Sequence, residues 1–170
     1  MSRLSFLSAD LVPEASRTSP LANALSSDGA GVVRDVSALG KLELRGDLDG
    51  VQAGDGEELV RLAPGRALLI TQGSPAAARE RLGAAGLRVY DLTGALAGLE
   101  IEGEALLRRL TELDLDALPA TGPVARGVPA LIQRLDGERF RLLVPQELGH
   151  YVCETVLDLA HGVAAPVAAR

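Results

Sequence analysis

Two hydrophobic periods alternate along this chain. Over 41–45, Leu42 and Leu44 are separated by Lys41, Glu43 and Arg45, the period-two pattern of a strand with leucines inside and charges outside. Leu99 and Ile101 alternate with Glu100 and Glu102 in the same way, and Gly103 closes that strand. Leu106, Leu107, Leu110 and Leu113 then recur at helical spacing, with Glu104, Arg108 and Glu112 as an i,i+4 ladder on the outer side. Further upstream, Ser19 as N-cap and Pro20 at the first helical position start a short helix that Ser26 to Gly29 ends. A strand is predicted over 32–36, and a hairpin over 59–63 and 66–71 across Pro64-Gly65. Ser74-Pro75 opens a helix to about Ala85, stopped by Gly86. A helical turn over 115–118 precedes strands at 124–128, 131–135 and 139–144, the last two joined by Asp136-Gly137. Leu148, Tyr151, Val152, Thr155, Val156, Leu159 and Ala160 give the final helix, 146–161, one apolar stripe.

One stretch of this pattern occurs twice. Asp35 aligns with Asp91, Ser37 with Thr93, Leu42-Glu43-Leu44 with Leu99-Glu100-Ile101, and Gly46 with Gly103. The offset is 56 residues at the aspartates and 57 at the glycines, so the second copy carries one inserted residue in its turn. Internal duplication explains this. Hairpins outnumber strand–helix–strand crossovers, which predicts an α+β fold: two antiparallel-sheet halves with helices packed on them. We expect one duplicated domain over 18–162, with halves of about 18–86 and 87–162. Residues 1–17 are expected to form an N-terminal arm and 163–170 a flexible tail.

Composition narrows the options. Only 2% of the 170 residues are aromatic, so the core must be leucine, valine, alanine and isoleucine. A net charge of −6 supplies no basic stripe for nucleic acid. The lone cysteine, Cys153, excludes an intramolecular disulfide and a cysteine-based zinc cluster. No apolar run is long enough for a membrane span and no secretory leader is apparent, so the expected location is cytoplasmic.

Candidate chemistry is sparse. Asp47, Asp49 and Asp55 do not match the ligand spacing of a calcium loop and read as a solvated segment. His150 and Glu154 lie one helical turn apart, too few ligands for a metal site. Cys153 has no activating base and reads as a buried, inert thiol. Asp35 and Asp91 each precede a hydroxyl residue at a turn, where their side chains are expected to accept from turn amides. Arg45 and Arg126, each followed by glycine, are the basic candidates for a carboxylate or phosphate, although surface arginine is the commoner reading. No catalytic residue and no metal ligand is assigned.

The repeat carries a resemblance. V-x-D-[VL]-[ST] followed by an alternating L-E-[LI] strand and a glycine resembles the folate-binding region of the glycine-cleavage T-protein (aminomethyltransferase) superfamily. TSPLANAL, GKLELRG, VYDLTGALAGLEIEGEALLRRLTELDLDALP and FRLLVPQELGHYVCETVLDLA, in that order, make the chain similar within that group to the gamma-subunit family of heterotetrameric sarcosine oxidases. The resemblance implies two related halves that exchange their first strands. It also implies a non-catalytic subunit partnered by alpha, beta and delta chains. That complex demethylates sarcosine oxidatively, coupled to tetrahydrofolate, with flavin and folate chemistry mainly in the larger subunits and no cofactor bound by this chain alone. The alternative is a free-standing folate-binding, aminomethyltransferase-like protein in which Arg45 or Arg126 holds the folate glutamate tail. Against that alternative, the hairpin LIQRLDGERFRLLV is short and carries Asp136 in a turn, where T-proteins have a Gly-Gly-x-x-Asp-Asp-like segment.

Overall fold

The alternating segments pair into two antiparallel sheets, seen in a computed structural model that describes residues 18–25, 31 and 33–164, with side chains to 162. After a short helix α1 (Ala22–Leu25) come β1 (Val33–Asp35), β2 (Gly40–Arg45), β3 (Glu57–Ala63) and β4 (Arg66–Thr71), then α2 (Pro75–Ala84). The second half supplies β5 (Arg88–Asp91), β6 (Leu96–Glu102), α3 (Glu104–Leu110), β7 (Ala120–Val124), β8 (Val128–Asp136), β9 (Arg139–Pro145) and α4 (Gly149–Ala164). The four-stranded sheet has the order β3-β4-β2-β5 and the five-stranded sheet the order β1-β6-β9-β8-β7.

Each sheet therefore borrows the first strand of the other half. β5 pairs with β2, Val89 opposite Leu44, while β1 pairs with β6, Val33 opposite Ile101. This is the strand exchange that the resemblance implied. The repeated aspartates sit where the chain crosses between sheets. Ser37 N donates to Asp35 Oδ1 at 2.9 Å and Thr93 N to Asp91 Oδ1 at 2.8 Å, so both aspartates close the turns expected of them. The hydroxyls then reach across. Ser37 Oγ accepts from Gly98 N, and Thr93 Oγ1 accepts from Lys41 N, each at 3.1 Å. Val36 N donates to Gly98 O and Leu92 N to Lys41 O, completing a two-fold pattern.

The layers are helix, sheet, sheet, helix. Ala78 and Leu82 of α2 pack on Leu42, Leu44 and Leu69 of the four-stranded sheet. α1, α3 and α4 cover the outer face of the other sheet, where Phe140, Leu142 and Ile132 meet Leu107, Val152 and Val156. Between the sheets lies a smaller apolar plug of Val60, Leu68, Ile70, Leu131 and Leu143.

That inner layer corrects the expected inside and outside. Lys41, Glu43 and Glu100 are all buried, because the face opposite their leucines meets a second sheet and not water. Residues 124–128 form no strand of their own. Val124 ends β7, Ala125 and Arg126 take left-handed φ of 44° and 66°, and β8 begins at Val128, so the segment is the turn of a hairpin. Helix α3 stops at Leu110, and Leu113 folds back over Gly122. In α4 the buried stripe is Val152, Cys153, Val156 and Leu157, while Tyr151 is exposed; the helix runs to Ala164, two residues into the expected tail. The 1–17 arm and the Ser26–Gly29 stop lie outside the described residues.

The crossover can be tested by mutation. Gly98 is buried, and a Cβ there would stand 3.0 Å from both the Val36 Cγ2 and carbonyl oxygen. Gly98→Ala should cost about 1–3 kcal/mol by overpacking. Ser37→Ala should cost a similar amount, about 1–3 kcal/mol, by leaving the Gly98 N–H unpaired. Urea unfolding of each variant measures both effects.

Candidate functional site

The space between the two sheets is the candidate site, and the apolar plug divides it into two unlike ends. At the polar end is a cleft of about 700 Å³ lined by residues that include Arg34, Asp35, Glu58, Glu100, Arg134, Asp136, Arg139 and Arg141. Its centre is Arg141 on β9, which lies opposite Glu100 on β6. Arg141 Nε and Nη2 donate to Glu100 Oε1 at 3.1 and 2.9 Å, and Nη1 donates to Glu58 Oε2 of the other sheet at 2.7 Å. Arg34 completes the group by donating to Glu100 Oε2 at 3.3 Å. Arg134 is held by Glu104, and Arg139 by Asp136. The eight charges named as lining this cleft balance, four basic and four acidic, so it offers no net field to an anion. Gln133 is buried beside Arg141, and its Oε1 has no partner among the described residues.

Close to this network lies Lys41, the chain's only lysine, which is completely buried. Its Nζ donates to Ser37 O at 2.8 Å and to Leu39 O at 2.9 Å, tying the crossover turn to β2. Burial lowers its pKa to about 8, with Arg141 adding to the effect and Asp35 and Asp91 opposing it.

The opposite end is apolar. A cleft of about 450 Å³ is walled by side chains that include Leu62, Leu68, Leu92, Leu96, Pro129 and Pro145, with Glu43 and Arg66 at its edge. Glu43 on β2 accepts from Arg45 Nε at 2.6 Å and from Arg66 Nε at 2.9 Å. Burial opposes its ionisation, but the hydrogen bonds from Arg66 and Arg45 outweigh burial and hold the carboxyl below its ordinary range. The Arg45 guanidinium also lies 5.3 Å from the centre of the Tyr90 ring. A third cleft, about 340 Å³, opens between the two repeated turns and is lined in part by Ser19, Asp35, Ser37, Thr93 and Gln146.

Of the two arginines singled out in the sequence, Arg45 stands at the end of β2 beside the apolar cleft, and Arg126 is exposed in the β7–β8 turn. Arg45 belongs to the four-stranded sheet and Arg126 to a turn of the five-stranded sheet. His150 pairs with Glu154 at 3.2 Å on the surface of α4. Cys153 is buried, and desolvation pushes its thiol up to about 11, so it is a poor nucleophile. Among the described residues no three metal-ligating side chains converge, and no helix is long and apolar enough to cross a membrane. The sequence reading missed the buried charges. Their signal was present: each repeat places a glutamate, Glu43 or Glu100, at the centre of its alternating strand, and both end up buried between arginines.

No family model matches the chain, and no curated protein is significantly similar to it. Among solved structures, it is similar to a chain of "Heterotetrameric Sarcosine Oxidase from Corynebacterium sp. U-96 in complex with pyrrole 2-carboxylate". The TM-score is 0.73, covering 90% of this chain and 99% of that chain, at 20% sequence identity. The two chains are thus of nearly equal length and share one fold, which is the duplicated α+β architecture described above.

Lys41 gives a direct test of the buried polar end. Its folded pKa of about 8 lies below the ordinary value of 10.5, so between those limits the unfolded chain binds more protons than the folded one. Stability contributed by Lys41 must therefore rise as pH increases from 8 to 10.5, by up to about 3 kcal/mol. Urea unfolding of wild type and Lys41→Met should show a stability difference that shifts toward wild type over that range.

Proposed function

We propose that this chain is the small, non-catalytic gamma-type subunit of a heterotetrameric complex that oxidises sarcosine and passes the one-carbon unit to tetrahydrofolate. The observation that carries the reading is the end-to-end likeness to a chain of a heterotetrameric sarcosine oxidase, at matching length. Two features support it. The charges that line the polar cleft balance one another, and Arg141, between Glu58 and Glu100, acts as a tie between sheets instead of as a reacting group. The one cysteine is buried with its thiol pushed up to about 11, which makes it a poor nucleophile. In this reading flavin and tetrahydrofolate sit in partner chains of alpha, beta and delta type, and the complex is cytoplasmic. The duplicated unit, 18–162 with halves of about 18–86 and 87–162, acts as one scaffold. Expression of the tagged full-length chain in its own host should recover flavin-absorbing partners with sarcosine-dependent peroxide formation. Recovery of the chain alone, without flavin absorbance, would refute the assignment.

A second reading rests on Arg45, whose guanidinium lies over Tyr90 and combines a cation with one of the chain's exposed aromatics. Here the chain itself binds folate, with Arg45 or Arg126 holding the glutamate tail. Calorimetry with tetrahydrofolate under reducing conditions decides it. Binding that weakens about tenfold or more in Arg45→Gln or Arg126→Gln would favour this reading, and absence of heat at high ligand concentration removes it.

A further inference from the structure

At its apolar end the four-stranded sheet carries an arrangement that costs stability within the isolated chain. Arg45 on β2 lies directly opposite Arg66 on β4 and directly opposite Arg88 on β5, a rung of three arginines across three adjacent strands. Like charges in direct cross-strand register repel. Only one carboxylate answers them: Glu43 binds Arg45 and Arg66, and Arg88 is exposed with no partner among the described residues. The nearby Asp47 carboxylate accepts from Asp49 N in its own turn. The rung is thus a local excess of positive charge on a chain whose net charge is −6.

The rung borders apolar surface on the same sheet face. Tyr90 lies between Arg88 and Leu92 in sequence, directly opposite Glu43, and is 45% exposed. Next to it opens the 450 Å³ cleft with Leu62, Leu92, Leu96, Pro129 and Pro145 in its walls. An exposed tyrosine, the unpaired Arg88 guanidinium and an apolar recess in one strip are the composition of an interface centre.

We infer that this strip is the docking surface for a partner subunit, and that the partner segment seated on it presents a bulky apolar side chain to the cleft and an acidic residue to the arginine rung. The inference rests on the reading of the chain as a subunit of a larger complex and says which face makes the contact. The carboxylate it calls for pairs with Arg88 and offsets the charge that Glu43 alone leaves on the rung, and the apolar side chain fills space that the two sheets leave open between them.

The test uses the full-length chain with the flavin-containing subunits it assembles with. Arg88→Glu/Tyr90→Ser reverses the unpaired charge and removes the ring while leaving Glu43 its arginine partners. Arg88→Glu alone is a milder variant in case the pair fails to fold, and Arg79→Glu on exposed α2 is the control. With far-UV circular dichroism and urea midpoint unchanged, the double variant should bind the partners at least tenfold more weakly, and the control should bind like wild type. Undiminished assembly of a folded double variant overturns the inference while leaving the subunit reading intact. A wild-type chain that assembles with no flavin subunit refutes that reading first and the inference with it. A homodimer broken by the double variant would identify a second copy as the occupant, contrary to the inference. Tetrahydrofolate polyglutamate binding lost in the variant, with assembly unaffected, would make the strip a small-molecule site and also overturn it.

Discussion

The reciprocal loan of a strand is the constraint on which the rest of this structure depends. β1 completes the sheet of the second half and β5 completes the sheet of the first. Two short turns make the exchange, and each is fixed by an aspartate that binds its own turn amide and a hydroxyl that accepts from the backbone of the other half. Because the crossing strands tie the sheets together, their inner faces meet, and the side chains at the middle of those faces are buried or lie in a cleft. The buried Glu43 and Glu100, the buried Arg141 and Lys41 and the unlike clefts are all consequences of that closure.

Closure also explains how so many charges are tolerated inside. Arg141 has carboxylates on both sheets, so one guanidinium offsets the buried Glu100 and the half-exposed Glu58 and spans the layer. Its fixed fork of donors suits this task, which a flexible ammonium would perform less well. Lys41 has a different role: its Nζ binds carbonyls of the crossover turn, as a compact cation held by backbone. Such networks stabilise little over an apolar equivalent, yet removing one partner leaves an uncompensated buried charge. Here the Arg141–Glu58 pair also links the two sheets directly.

Much of this architecture was legible in the sequence. The alternation at 41–45 and 99–102, the Pro64-Gly65 and Asp136-Gly137 turns and the Ser74 cap all mark elements that formed where local chemistry placed them. The duplication exposed the two-fold pattern because Asp35 and Asp91 do the same work. What local chemistry could not give was what each face would meet. Lys41, Glu43 and Glu100 read as solvent-facing because their neighbours are leucines, and a period of two has no term for a second sheet. The turn at Ala125-Arg126 was hidden because neither residue is a usual left-handed one. The α4 stripe formed at Val152 and Val156, with Leu148, Leu159 and Ala160 packed on the core, but Tyr151 is exposed and Leu157 buried, because only tertiary packing settles the edges of a stripe. The arginine rung needs the register of three strands, and no single segment contains it.

The strand exchange also sets an order on synthesis. Val33 leaves the ribosome long before Ile101, its partner. At about 5–20 residues per second the nascent chain waits several seconds with β1 unpaired and the place it will fill not yet made. The four-stranded sheet likewise lacks an edge until β5 follows α2 out. Neither half can complete its sheet from its own strands alone, so the chain must reach past β6 before both sheets hold all the strands that cross between them. A protein built this way reaches its native state late and as a whole.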